Sequence, residues 1–289
     1  RTEAGTHALV LVHDPELVAA AAGLALRNLV WDVHEDPAAA LVAKDWLPGP
    51  AKGLVGGGWR AAERLAERRH RLLLAEYAYQ DRFRRPHPVV PNTVRVPAEV
   101  PAPGTDRIVY LGTVTMARGT AVMVDAARRV HAATDGGCRL DVVGGARDPE
   151  SARLLDDACE EGIVTWRGFV PSATALALLP GALAGLSLLQ DLPNYRHSRP
   201  TKIVEYMAHG VPVVTTPLPV AVDLVDQAPA GIVVPFDDPD ATAAAILALR
   251  EDPARAAAYG AAGHAAALAA YDWNTAGPQF TATLRGFLA

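Results

Sequence analysis

Short, nearly continuous apolar runs alternate along this chain with longer stretches whose apolar residues fall three and four positions apart. The runs predict strands at 7–12, 29–33, 71–75, 108–111, 140–143, 163–166, 184–189, 211–215 and 232–234. The periodic stretches predict helices at 16–26, 59–70, 76–84, 120–134, 149–161, 172–179, 201–209, 219–228 and 240–250. Strands without polar alternation belong to a parallel sheet covered on both faces. Repeated strand–helix–strand units give a doubly wound α/β architecture, whose ligands bind outside the carboxyl ends of the strands. The stretch 96–105, with Pro97, Pro101, Pro103 and Gly104, reads as a linker between two halves. Beyond 253 the pattern is helical, with breaks expected at Asp272-Trp273-Asn274 and at Gly277-Pro278.

A length of 289 residues fits two domains at roughly 150 residues each. The first half, 1–104, is small for a complete Rossmann-like half and opens at Arg1 without a leading strand and glycine turn, so it is expected to lack a part. Lys+Arg total 27 against 32 Asp+Glu, a net charge of −5, which argues against nucleic acid as the main partner. The two cysteines, Cys138 and Cys159, cannot build a disulfide framework or a four-ligand zinc site, and fit a reducing cytosol. No apolar run approaches the ~18 residues of a membrane span. The abundance of alanine fits a GC-rich bacterial genome and blurs helical periodicity.

Glycines punctuate the strand ends of the second half. Gly112-Thr113 follows one strand, with Arg118-Gly119 at the next helix start; Gly144-Gly145 follows another, and Gly168-Phe169 a third. A glycine there lets the backbone approach a phosphate or a flat ligand closely, and Arg118 could neutralise charge near a helix N-terminus. Each alone is equally an ordinary turn. The densest feature is Pro200-Thr201-Lys202-Ile203-Val204-Glu205-Tyr206-Met207-Ala208-His209-Gly210. Pro200 suits a helix start and Gly210 its end. The amides of Thr201 and Lys202 form an anion site strengthened by the helix dipole. Glu205, one turn in on an otherwise apolar helix, could accept two ribose hydroxyls; the bland alternative is a solvated glutamate or one paired with Lys202.

In order along the chain, Gly112…Arg118-Gly119, Val143-Gly144-Gly145, Gly168-Phe169-Val170, the block from Pro200 to Val214 and Gly231-Ile232-Val233-Val234 resemble family 4 glycosyltransferases. His13-Asp14-Pro15-Glu16, Trp31-Asp32-Val33-His34-Glu35, Val90-Pro91-Asn92 and Tyr271-Asp272-Trp273 resemble that family's acceptor half and the crossing of its C-terminal helix. The resemblance implies the GT-B fold: two Rossmann-like, doubly wound parallel-sheet domains facing across a cleft. The expected division is 1–104 (acceptor side), 105–271 (donor side) and a helix at 272–289 crossing back. It implies a retaining transfer of a hexosyl or N-acetylhexosaminyl group from a nucleotide diphosphate sugar, UDP-linked by preference, to an acceptor that is a small molecule, a glycan or a lipid-linked sugar. No metal or other cofactor is expected, and the location is expected to be cytoplasmic.

By the same resemblance Glu205 matches the ribose-binding glutamate, the Thr201 and Lys202 amides match the diphosphate-holding helix start, and Arg118 matches the basic residue on the diphosphate. Gly168 and Phe169 match the region beside the base. His34 matches the histidine that reaches the donor sugar near the reacting carbon; its bland alternative is a structural histidine at a strand end. Two positions depart from the pattern. Thr113 stands where an arginine usually follows the glycine, and His197 stands where a sugar-binding glutamate precedes Glu205. These departures keep open a non-catalytic nucleotide-sugar-binding partner, and an epimerase of the same fold is a further alternative. Weaker patterns carry bland readings: Gly56-Gly57-Gly58 has no clear strand before it, Asp238 reads as a helix cap, His34-Glu35 lacks a second zinc-helix histidine, and the basic clusters at 64–71 and 82–85 read as solvated faces rather than contacts to an anionic membrane surface.

Overall fold

The computed structural model describes residues 8–21, 24, 26, 28–40 and 48–288. The expected strand at 7–12 begins, and the expected helix at 16–26 ends, partly outside these residues, as does the chain start at Arg1. In chain order the elements are β1 (Val10–Val12), α1 (Pro15–Ala21), β2 (Leu29–Val33), α2 (Pro37–Ala40), α3 (Gly49–Arg69), β3 (Arg71–Leu74), β4 (Arg107–Leu111), α4 (Thr120–Ala133), β5 (Arg139–Val143), α5 (Pro149–Glu160) and β6 (Val164–Trp166). There follow α6 (Ser172–Leu176), β7 (Ala184–Ser187), α7 (Pro193–Arg196), α8 (Thr201–Ala208), β8 (Val213–Thr215), α9 (Pro219–Gln227), β9 (Gly231–Val233), α10 (Pro239–Glu251), α11 (Pro253–Ala270) and α12 (Trp273–Gly286). The chain divides into two compact units. One holds Arg1–Thr93, Leu192–Ser198 and Trp273–Ala289; the other holds Val94–Asp191 and Arg199–Asp272.

In the first unit β1, β2 and β3 pair in parallel in that order, with Val12 beside Trp31 and Val33 beside Leu74. All five β2 residues are buried, and Trp31, Val33, Leu72 and Leu74 pack with Val18, Tyr79 and Phe83 into one core. The charged helix expected at 59–70 begins earlier, at Gly49, so the three glycines at 56–58 lie inside α3 and form no strand-end fingerprint. The stretch expected as a helix at 76–84 is instead a 3₁₀ turn, Tyr77–Arg82. Tyr79 and Phe83 are both core residues. Two buried glutamates of α3 hold this turn. Glu63 accepts from Arg60 and Arg82, and Glu67 accepts the backbone N–H groups of Arg84 and Arg85, each at 2.9 Å.

The second unit is a six-stranded parallel sheet in the order β6-β5-β4-β7-β8-β9. Counted within the unit this is 3-2-1-4-5-6, the Rossmann order, with its switch point between β4 and β7. Tyr110, Met123, Leu140, Leu155, Ile246 and Leu249 anchor the core between the sheet and α4, α5 and α10. The strands and helices expected here differ from the observed ones only by a few residues at their ends. Asp238 caps α10, accepting from the Ala241 N–H at 2.8 Å.

The proline-rich stretch is not a free linker between the units. It packs within the second: Val94 bridges Asp272, the Val96 N–H donates to the Asp272 carboxylate, and the Gly104 N–H donates to the Gly181 carbonyl at 2.9 Å. The unit boundary therefore falls at Thr93 rather than at 104. The break expected at Asp272 is present between α11 and α12, whereas α12 runs through Gly277-Pro278 without interruption. Among the described residues no helix is long and apolar enough to cross a membrane.

Candidate functional site

At the carboxyl ends of β4, β5 and β6 the second unit encloses a cavity of about 480 Å³, walled by Gly112, Thr113, Gly144, Gly145, Arg147, Phe169 and Glu205 among others. Its floor is a stack of glycine backbones. The Gly112 N–H donates to the Val143 carbonyl at 2.9 Å, and the Gly144 N–H donates to the Gly168 carbonyl at 2.8 Å. Gly112, Gly144 and Gly168 all have positive φ, and a Cβ at Gly144 would lie 1.9 Å from the Gly112 oxygen. Only glycine at 144 lets that strand end close so tightly on Gly112.

Tyr206 fixes α8 at the switch point. Its ring fills the space that a Cβ on Gly185 of β7 would need, and its buried hydroxyl accepts from the Leu111 N–H at 3.0 Å and donates to the Leu186 carbonyl at 3.1 Å. Glu205, the preceding residue, is thereby turned into the cavity wall. Burial raises its carboxyl above the ordinary 4.5, and the nearby Lys202 charge opposes that shift.

Lys202 is the least expected part of the site. Its side chain is buried, and its ammonium sits 3.7 Å from the centre of the Tyr110 ring without a hydrogen-bond partner. It is not ion-paired to Glu205. Burial holds its pKa well below the ordinary 10.5, and the Arg118 charge pushes the same way. Both cations meet at Gly112: a Cβ built there would lie 3.6 Å from Lys202 Nζ and 4.0 Å from Arg118 Nη1. Pro200 precedes α8 and offers no side-chain cap to the amides at its start. Thr201 at that start is exposed, and Phe169 is 86% exposed at the cavity wall.

His34 and His197 belong to the first unit. His197 is exposed at the end of α7. His34 follows β2, and contact with the Asp32 carboxylate raises its pKa above 6.5, outweighing the effect of burial. Its carbonyl accepts from the Tyr79 hydroxyl at 3.1 Å. Sequence reasoning passed over Arg147, in the cavity wall two residues after Gly144-Gly145. It also passed over Tyr110 beneath Lys202, and it quoted His13 and Asp32 only within motifs, without the contact to His34 that the pattern of a buried strand does not signal.

Residues 105–252, just over half the chain, match the family described as glycosyl transferases group 1. The chain belongs to that family. Like several solved glycosyltransferases, this group 1 member has the GT-B fold of two Rossmann-like units. Anabaena HepE in complex with UDP and glucose is 18% identical, with a TM-score of 0.72 over 97% of this chain and 78% of that one. A mutant of S. aureus TarM, in complex with fondaparinux, alpha-GlcNAc-glycerol and UDP, is 14% identical, with a TM-score of 0.67 over 91% of this chain. Sucrose-phosphate synthase from Thermosynechococcus elongatus is 20% identical, with a TM-score of 0.65 over 89% of this chain and 67% of that one. The chain spans about half the length of TarM, 52% and 54% in two structures. No protein of curated function matches the sequence.

Proposed function

We propose that this chain is a family 4, retaining glycosyltransferase that moves a hexosyl or N-acetylhexosaminyl group from a UDP-linked donor to a small-molecule, glycan or lipid-linked acceptor. The observation that carries the reading is the cavity at the strand ends, with Glu205 in its wall and the buried, unpartnered Lys202 ammonium meeting Arg118 at Gly112. UDP in the HepE and TarM structures supports the choice of base.

Glu205 accepts the ribose hydroxyls, and Phe169 lies beside the base. The glycine floor of Gly112, Gly144 and Gly168 admits the diphosphate to van der Waals range. As the sugar departs, negative charge gathers on the diphosphate, and preorganised cations stabilise it without reorganisation. Lys202, Arg118 and the first amides of α8, at Thr201 and Lys202, supply that charge, so the reading needs no metal. The Thr113 hydroxyl donates a hydrogen bond where the family pattern has a cation. His197 and His34 bind the donor sugar, His34 near the reacting carbon, and the sugar leaves and is attacked on the same face. Two free cysteines fit work in the cytosol of a bacterium.

Titration calorimetry with UDP, GDP, ADP and dTDP in metal-free buffer tests the reading. UDP is expected to bind in the micromolar range, and no binding by any of the four overturns it. With UDP-sugars, His34→Ala is expected to keep nucleotide binding and lose transfer. Thr113 and His197 favour one second reading, a nucleotide-sugar-binding partner without catalysis, which predicts binding without turnover on every acceptor offered. Interconversion of donors with no acceptor present would point instead to an epimerase.

A further inference from the structure

Three chemistry-bearing side chains meet at the carboxyl edge of the first unit's sheet. β1 and β2 are parallel with Val12 beside Trp31, so His13, the next residue, falls beside Asp32. Asp32 and His34 are two apart along β2, and alternation puts their side chains on one face. The result is a carboxylate flanked by two imidazoles: Asp32 Oδ2 lies 3.2 Å from His13 Nδ1 and 2.9 Å from His34 Nε2. The two rings meet edge to face with centroids 5.1 Å apart.

The arrangement is not that of a satisfied hydrogen-bonded cluster. Asp32 is 4% exposed, yet its second oxygen, Oδ1, has no partner. His34 Nε2 is also without a hydrogen-bond partner despite its short approach to Oδ2. The three ligand atoms converge on shared space rather than donating squarely to one another, and all lie within 4.8 Å. A tetrahedral zinc with bonds near 2.0–2.1 Å holds its ligand atoms about 3.3 Å apart, and the two measured separations sit beside that value.

We propose that His13, Asp32 and His34 bind one divalent transition-metal ion, zinc by preference. Two imidazole nitrogens and one carboxylate oxygen are borderline ligands suited to zinc, cobalt or nickel, and unsuited to copper(I), which wants sulfur. One negative charge among three donors suits a divalent ion. His13 is about half exposed, so the ion enters from solvent and open positions remain for water. The backbone of the site is held from behind: Trp31 Nε1 donates to the His13 carbonyl at 3.2 Å, Tyr79 to that of His34, and Arg82 to that of Glu35 at 2.8 Å. Such support keeps ligands in place before the metal arrives. The site has a regulatory consequence that rests on the proposed function: the ion takes His34, which that reading puts at the donor sugar, so zinc opposes transfer.

The test uses the untagged full chain, stripped with chelator, and zinc chloride alone in a calorimeter. One ion per chain is expected for the wild type, with affinity lower by about 100-fold or more in His13→Ala, since loss of a ligand should exceed the 10–100-fold loss seen for outer-shell partners. Cobalt chloride should give visible d–d absorption with the wild type and none with His13→Ala, whose fold is checked by circular dichroism. In chelator, His13→Ala should transfer sugar at the wild-type rate and, unlike the wild type, keep that rate when zinc is added. No binding of zinc or cobalt, or equal binding by His13→Ala, overturns the metal site. Zinc binding that leaves wild-type transfer unchanged overturns the regulatory role. Failure to bind UDP, by a chain that still binds zinc through His13, removes the proposed function and leaves the metal site standing.

Discussion

Lys202→Met should make this protein more stable and a worse binder of UDP at the same time. The wild-type ammonium is buried against the Tyr110 ring with no hydrogen-bond partner and with the Arg118 charge close by. Its compensation is the ring contact at 3.7 Å, worth about 0.5–2 kcal/mol. Methionine fills a similar volume, carries no charge to desolvate, and keeps a sulfur–aromatic contact of about 0.3–1.5 kcal/mol. Replacing buried ions with apolar side chains of like volume gains up to about 1–4 kcal/mol, so a net gain of about 1–3 kcal/mol is expected once the lost ring contact is counted. That should raise the unfolding midpoint by several degrees, at about 2–4 °C per kcal/mol for a unit of this size.

The gain should depend on pH with a fixed sign. The folded-state pKa lies well below 10.5, so the folded protein binds fewer protons than the unfolded chain between those values. Wild-type stability therefore rises with pH across that window, and the advantage of Lys202→Met shrinks as pH approaches 10.5. Binding moves the other way: losing a hydrogen bond to a charged group costs about 1.5–3 kcal/mol, or roughly 10- to 150-fold in the UDP dissociation constant. Differential scanning calorimetry and UDP titration on one preparation read both quantities. A variant that melts earlier than the wild type would show that the ammonium is satisfied where it sits. An unchanged UDP affinity would remove Lys202 from the diphosphate site.

Three further outcomes are expected. Because burial raises the Glu205 pKa, UDP affinity should fall on acidification at a pH above the ordinary 4.5; Glu205→Gln, weaker by about 1.5–3 kcal/mol, should show no such limb in calorimetric titrations across pH. Gly144→Ala puts a Cβ 1.9 Å from the Gly112 oxygen at φ +147°, and denaturant unfolding should register a loss of about 2–5 kcal/mol from backbone strain and overpacking together. Tyr206→Phe leaves the buried Leu111 N–H without its acceptor, and thermal unfolding should show a loss of about 1–3 kcal/mol.

The second unit was legible because its strands are unbroken apolar runs, and because glycines and prolines mark nearly every element end. The block from Pro200 to Gly210 announced its own boundaries, and Asp238 announced its cap. What escaped the sequence depends on partners far along the chain. Glu63 and Glu67 fall in the charged helix expected at 59–70, yet each is 2% exposed, because Arg82 and the amides of 84 and 85 reach them from the following turn. Helical spacing cannot reveal a partner 17 to 19 residues away that the fold delivers. Asp32 lay hidden inside an apolar strand for the same reason, as one of its two histidines, His13, is supplied by strand pairing. The inward aim of Lys202 depends on Tyr110, a residue of a different strand.

The interleaving of the two units dictates an order of events during synthesis. The second unit has all its residues once Asp272 has left the ribosome. The first unit, although its strands are made earliest, still lacks α12, whose neighbouring Phe287 ring lies 5.9 Å beneath the Arg71 guanidinium. Nascent chains generally complete their domains from the N-terminus onward. Here the later-made sheet can close first, and the earlier one waits until the residues from Trp273 onward have emerged. Chaperone dependence should therefore concentrate on β1–β3, and a ribosome stalled before Trp273 would carry one finished unit and one unfinished one.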